Sequence, residues 1–307
     1  MAAVAFVINH TRAGDLRWLR RECASAAGRA GLEPLFYDTA PAPERAGHHA
    51  HLVGDLVMAG ADQTQAAVAA GASLVAAVGG DGTVRACAHA LAGGDVPLAI
   101  IPLGTANLAA TALGVPSRPG AALAAGLTGR DRRIDVGEAD GLTFLAMAGI
   151  GLDAEVVAAT PPLLKAWFGW PAYAAAGAVR ALGTRRAFTI RLDGAEPLIR
   201  DARSVVAANA GLLPGGFALL PEAVPDDGML DAGILAPASV TDWARVARRV
   251  LTKDRHDGPE LERHQARQIE ILAPAPLPRQ VDGEVISPAT SFSITIRPAA
   301  LTVRVPF

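Results

Sequence analysis

Cysteine and lysine are nearly missing: Cys23 and Cys87, Lys165 and Lys253 are all that occur in 307 residues. Two cysteines without the paired spacing of a zinc site or a disulfide framework point to a reducing compartment. Neither charge dominates, with 28 basic against 30 acidic residues. That balance argues against a general nucleic-acid-binding surface. No uninterrupted apolar run reads as a membrane span. The nearest, "VPLAIIPLGTANLAATALGVP", is broken by Pro102, Gly104, Asn107 and Gly114. "MAAVAFVINH" has no basic residues ahead of its apolar ones and reads as a first strand, not a signal peptide. Repeats and low-complexity tails are absent. So are three familiar nucleotide loops. The dinucleotide fingerprint begun by Gly80 and Gly82 needs a third glycine where Arg85 stands. Neither lysine follows a glycine as a P-loop requires, and neither sits in a protein-kinase strand setting.

What is present is apolar residue, 51% of the chain, enough to bury the cores of two domains. "AVAFVIN" (3–9), "EPLFYDT" (33–39), "SLVAAV" (73–78) and "PLAIIPL" (97–103) are short apolar runs. Helical patterns separate them: residues 15–31 with Leu16, Leu19, Cys23 and Ala26 on one face, "TQAAVAAG", 84–92 and 107–113. Continuous apolar strands between helices predict an α/β domain around a parallel sheet. Residues 41–64 read as a loop with one helix over "HLVGDLVMAG".

Beyond Asp135 the period changes to two. "AFTIRLD", "SFSITIR" and "LTVRV" alternate apolar and polar residues, which predicts antiparallel strands with one wet face and a β-sandwich-like second domain. Two helices interrupt it, "WPAYAAAGAVRAL" and "SVTDWARVARRVL". Ser239 and Asp242 form a capping-box pattern on the latter, ahead of a stripe of Trp243, Val246, Ala247, Val250 and Leu251. The expected divisions are 1–134, 135–295, and a C-terminal strand over 296–307 that could return to the first domain.

The apolar strand over 73–78 ends in Gly79-Gly80-Asp81-Gly82-Thr83-Val84-Arg85, ahead of a helix. Glycines let backbone N–H groups approach phosphate oxygens, and a helix N-terminus adds a favourable dipole. Asp81 repels an anion unless a cation lies between them. The loop therefore reads as a phosphate site with a divalent metal, or as a tight strand–helix turn. Gly104-Thr105-Ala106-Asn107 closes the next strand in the same manner, either as a second wall of one crevice or as an ordinary helix cap.

Taken together, Gly-Gly-Asp-Gly-Thr, "PLGTANLAATALGVP", "DVGEAD" with "FLAMAGIGLDAEVV", "LKAWFGWPAYAAAGAVRAL", "LLPGGFALLPEAVPDDGMLDAGIL" and "QVDGEVI" resemble the diacylglycerol kinase catalytic-domain family over the whole chain. That family shares its fold with NAD kinases. The resemblance implies an ATP-dependent phosphotransferase acting on a lipid hydroxyl. It implies that Gly79 to Arg85 hold the nucleotide phosphates and that Thr39, Thr105, Asn107 and Asn9 belong to the nucleotide site. It implies Asp282 as general base with Glu284 beside it. Asp227 matches a ligand of Mg²⁺, completed by the carbonyls of Val224 and Met229. Phosphoryl transfer needs positioning and charge neutralisation more than covalent help, so a carboxylate that takes the alcohol proton suits it. "VDGE" is also the pattern of a plain hairpin turn, and "PDDG" of a bend.

One departure is Leu108, where most of the family has aspartate. It motivates a second reading, a nucleotide-binding protein that has lost catalysis; a third, within enzymes, is an NAD kinase-like activity on a soluble nucleotide. His48, His49 and His51 lie close together but read as a solvated loop. Trp167, Phe168, Trp170 and Tyr173 crowd a chain with only 5% aromatics and suit core, a lipid pocket or a bilayer interface. Arg180, Arg185 and Arg186 follow them and suit anionic headgroups. The expected setting is cytoplasmic, peripheral at the inner membrane face, with a lipid substrate, no nucleic acid, and a homodimer compatible with the sequence.

Overall fold

The computed structural model describes residues 2–12, 14–39, 52–53, 56–58, 60–152, 154, 184–211 and 218–307. The histidines 48, 49 and 51, the aromatic run 167–173, Arg180 and the helix expected over 170–182 lie outside the described residues. Two compact units divide the chain: residues 1–134 with 299–307, and residues 135–298.

The first unit runs β1 (Ala3–Ile8), α1 (Leu16–Arg29), β2 (Glu33–Asp38), β3 (Leu52–Val53), β4 (Leu56–Val57), α2 (Ala61–Ala69), β5 (Ala72–Gly79), α3 (Asp81–Leu91), β6 (Leu98–Pro102), α4 (Leu108–Ala112) and α5 (Pro119–Thr128). β7 (Arg130–Ala139) leads out of it. The apolar runs of β1, β5 and β6 are buried almost throughout, as strands covered on both faces must be. They pair in parallel in the order β2-β1-β5-β6. α1 starts at Asp15, whose side chain caps the N–H of Trp18, and it buries Leu19, Cys23, Ala26 and Ala27. "HLVGDLVMAG" is not a helix. Leu52–Val53 pairs antiparallel with Leu56–Val57. Gly-Asp between two apolar pairs is a hairpin signal that outweighs the weak helical spacing.

The second unit runs β8 (Leu142–Phe144), β9 (Met147–Gly151), β10 (Arg186–Leu192), β11 (Leu198–Ala202), β12 (Ser204–Ala208), β13 (Leu230–Leu235), α6 (Val240–Thr252), β14 (Leu261–Ala266), β15 (Gln268–Val281) and β16 (Glu284–Val305). It is mainly antiparallel and β-sandwich-like, with strand order β14-β13-β12-β9-β15-β16 and β10 and β11 branching from β15. Phe188, Ile190, Phe292 and Ile294 face inward, in keeping with their period of two. Ser239 and Asp242 form the capping box of α6. Its stripe is narrower than the spacing suggests: Val246 and Val250 are buried, while Ala247 and Leu251 are exposed.

The last stretch of β16 corrects an expectation. "LTVRV" alternates, yet it pairs in parallel with β6, Val303 opposite Leu98, in the sheet of the first unit. β16 also pairs with β7, so alternation there reflects one half-wet face and not an edge, and on that face Arg304 meets Asp131 at 2.7 Å. Among the described residues, no helix is long and apolar enough to cross a membrane.

Candidate active site

After β2 the chain crosses to the other side of β1 before entering β5, so strand order reverses at the β1–β5 boundary. Open α/β sheets bind ligands at such a point, outside the carboxyl ends of the strands. The candidate nucleotide residues collect on that edge. Thr39 follows β2 and Asn9 follows β1. Gly79 ends β5, and Gly104, Thr105 and Asn107 follow β6. The ladder continues one step past the strands: Thr39 N–H donates to Ile8, Asn9 N–H to Val78 at 2.9 Å each, and Leu103 N–H to Gly79 at 2.8 Å. Asn9 Nδ2 donates to Thr83 Oγ1 at 3.2 Å, tying β1 to the first turn of α3.

The two glycine loops touch through their backbones. Asn107 takes the Gly104 N–H on its Oδ1 at 2.9 Å and donates Nδ2 to the Gly104 carbonyl at 2.8 Å. Asn107 itself is left-handed, φ 48°. Asp81 Oδ1 accepts the N–H of Leu108 at 2.6 Å, so the aspartate links the two loops at the N-terminus of α4. Position 108 therefore meets Asp81 through its backbone, whatever its side chain, and Leu108 itself is buried. Within the first loop, Asp81 and Gly82 are half-buried, whereas Thr83, Val84 and Arg85 are buried. Arg85 is among the largest fully buried side chains of the chain. Thr105 is exposed. Thr39 is 1% exposed, and its Oγ1 has no hydrogen-bond partner among the described residues. Neither thiol is activated: burial pushes both Cys23 and Cys87 up to about 12.

In the second unit, Asp282 and Gly283 are the two loop residues of a hairpin, with φ 46° and 76°, and Val281 pairs with Glu284 across it. The hairpin reading of "VDGE" is thus correct at the backbone. The Asp282 side chain does more. It is 6% exposed, and it accepts the N–H of Leu145 at 2.9 Å, of Ala146 at 2.9 Å and of Met147 at 3.0 Å. Its own N–H donates to the Met147 carbonyl at 2.8 Å. Three converging N–H groups favour the charged carboxylate. Glu284, by contrast, is exposed. The two acids therefore occupy different environments.

Val224 and Asp227 are exposed and Met229 is half-buried. Asp227 Oδ1 accepts the Met229 N–H at 3.0 Å, closing the bend. Buried Asp135 supports the same bend: its Oδ2 accepts the Gly228 N–H and its own N–H donates to the Pro225 carbonyl, both at 2.7 Å. Asp231, buried on β13, is pushed up to about 6, chiefly by burial, with Asp227 and Glu222 adding repulsion. Among the described residues, no three His, Cys, Asp or Glu side chains form a metal-holding group. One carboxylate with two carbonyls is a different donor set. Asn209 and Asp135 were not singled out from sequence. The available signal was one asparagine in the otherwise apolar "VVAANAG".

The diacylglycerol kinase catalytic domain matches residues 22–139, and the YegS C-terminal NAD kinase beta sandwich-like domain matches residues 146–305. A "Probable lipid kinase YegS-like" protein of Pseudomonas fluorescens Pf-5 is 36% identical over 245 residues, 79% of this chain and 80% of that one. A solved diacylglycerol kinase of Bacillus anthracis Sterne superposes with TM-score 0.73 at 21% identity, covering 99% of this chain and 96% of its own. An NAD kinase of Archaeoglobus fulgidus, solved with ATP, has TM-score 0.52 at 13% identity, covering 99% and 93%. The last two are likenesses of fold. With one domain match spanning half of the chain and a relative above 30% identity, the chain belongs to the YegS-like lipid kinase family, built on the diacylglycerol kinase catalytic domain.

Proposed function

We propose that this chain transfers the γ-phosphoryl group of ATP to the hydroxyl of a diacylglycerol-like lipid. The observation that carries this reading is the row of four adjacent strand ends, β2, β1, β5 and β6, bearing Thr39, Asn9, Gly79–Arg85 and Gly104–Asn107. The half-buried Gly80, Asp81 and Gly82 offer backbone to phosphate oxygens at the start of α3. Thr39 brings a buried hydroxyl oxygen that lacks a partner among the described residues.

The acceptor oxygen attacks the γ-phosphorus, the bond to the β-bridging oxygen breaks, and ADP leaves. The hydroxyl proton passes to Asp282. A carboxylate offers about four lone-pair sites, so three amide bonds do not exhaust it. The amides fix the position of the carboxylate and favour its charged form, the form able to take a proton. Val224, Asp227 and Met229 form an all-oxygen set of the kind Mg²⁺ takes, and the ion would supply positive charge beside the acidic bend. The acceptor lies in a bilayer, so the protein works at a membrane surface, from the cytoplasmic side.

The test is incubation with ATP, Mg²⁺ and phosphatidylglycerol vesicles carrying diacylglycerol or a mixed bacterial lipid extract, with products weighed by mass spectrometry. A lipid that gains one phosphoryl group is expected. Phosphorylation of NAD with no lipid product would overturn the reading.

A further inference from the structure

Residues 145–147 present their N–H groups to one partner, and Leu145 and Ala146 present their carbonyls to another. The N–H side belongs to Asp282. On the carbonyl side, Asn209 Nδ2 donates to Leu145 at 3.0 Å, and the backbone N–H groups of Asn209 and Ala210 donate to Ala146 at 2.8 and 3.1 Å. A peptide unit is planar, with N–H and C=O pointing opposite ways. The Leu145 carbonyl and the Ala146 N–H are one such unit. The Ala146 carbonyl and the Met147 N–H are the next. Both units are therefore bridged between Asn209 and the Asp282 carboxylate.

Asn209 is wholly buried. Its Nδ2 also donates to the Asp135 carbonyl at 3.0 Å, so two carbonyls fix which end of the amide faces them. Its Oδ1 is buried without a hydrogen-bond partner among the described residues. A residue kept only for packing would not leave an acceptor unpaired in an apolar setting. The amino group is the part the structure uses. A carbonyl that accepts a hydrogen bond also polarises the N–H of its own peptide unit.

We propose that Asn209 is a positioning residue for Asp282: by holding the Leu145 carbonyl it aims and polarises the Ala146 N–H that binds the carboxylate. The proposal rests on Asp282 acting as the base. It predicts a graded effect along residues 145–147, because Asn209→Ala removes the side-chain bonds to the Leu145 and Asp135 carbonyls and leaves the backbone bonds to Ala146 in place.

The experiment measures amide hydrogen exchange by NMR in the full chain, and kcat with ATP and diacylglycerol-containing phosphatidylglycerol vesicles. In Asn209→Ala, exchange at Ala146 is expected to rise about tenfold, more than at Met147, as loss of one hydrogen bond implies. kcat falls by about the same factor with the KM for ATP unchanged. Asn209→Ser, which keeps one donor, recovers part of both and serves should the alanine variant fail to fold. In an Asp282→Asn background, Asn209→Ala costs little more, because the two residues act as one unit. Unchanged exchange at Ala146, unchanged kcat, or losses that multiply would each overturn the proposal. Failure of the base itself shows separately, as Asp282→Asn with kcat near wild type while the exchange arm still responds.

Discussion

A Cβ on Gly104 would fall 2.7 Å from the Cα of Gly80 and 2.8 Å from Asn107 Oδ1. The same atom on Gly80 would meet Gly104 Cα at 3.3 Å, a tight but yielding distance. The two loops are thus held backbone to backbone, and the cost of a side chain is unequal. Gly104→Ala must push the loops apart, whereas Gly80→Ala needs a shift of a few tenths of an ångström. ATP affinity by calorimetry is expected to fall at least about tenfold in Gly104→Ala, roughly 1.4 kcal/mol, and much less in Gly80→Ala. Equal losses would mean that the close approach does not shape the nucleotide site.

Much of this edge was readable in the sequence. Each of the strands β1, β5 and β6 is an apolar run that stops at Asn9, Gly79 or Pro102, and parallel order puts their carboxyl ends side by side. The Asp282 cradle was not readable in the same way. Its three amides lie 135 to 137 residues away in sequence. "VDGE" shows a turn, but only strand pairing places Leu145–Met147 over it. The parallel end of β16 was hidden for a related reason. Alternation reports a half-wet face and carries no information on partner direction, which here is set by β6. Asp81 reads from sequence as a metal-linked acid or as the cap of a tight turn, and its bond to the Leu108 N–H, 27 residues away, is a link between loops that spacing does not show.

Asp227 closes its bend through the Met229 N–H, and it is exposed. Asp227→Ala therefore costs the free protein about 1 kcal/mol or less, the net worth of one exposed hydrogen bond. If the Val224–Met229 bend holds Mg²⁺, the rise in melting temperature on adding Mg²⁺ should vanish in the variant. Melting curves with Mg²⁺ and with chelator decide it, and an undiminished response to Mg²⁺ removes the bend from cation binding.

Arg200 grips Glu262 through two bonds, 2.7 and 3.0 Å, and His264 meets the same carboxylate at 2.8 Å. The Arg200 hydrogen bond, with His264 adding to it, holds the Glu262 carboxyl below its ordinary range. A depressed acid stabilises the fold above its unfolded pKa, and that stability disappears as pH falls through the folded value. The pair is about a third exposed, so its worth is about 1 kcal/mol or less. Arg200→Met should lower stability by that amount at pH 7 in low salt. The difference from wild type should shrink as pH drops below the usual carboxylate range. Urea denaturation at pH 7 and at pH 3.5 checks this, and a gap that widens in acid contradicts it.

Thr39 separates a residue kept for the fold from one kept for a ligand. Its methyl group packs toward Gly60, where a Cβ would approach it at 3.4 Å, and its Oγ1 is buried without a partner among the described residues. Valine has nearly the same shape and removes only the hydroxyl. A buried polar atom with no partner costs about 1–3 kcal/mol, so Thr39→Val should leave the free protein as stable as wild type or more so. If the hydroxyl is reserved for the nucleotide, the same change should weaken ATP binding by about five- to tenfold, the worth of one hydrogen bond of roughly 1 kcal/mol. The two effects have opposite signs, which no purely structural role produces. Denaturation of the free protein and calorimetry with ATP are the paired measurements. Loss of stability together with unchanged ATP affinity would assign Thr39 to the fold and take it out of the nucleotide site.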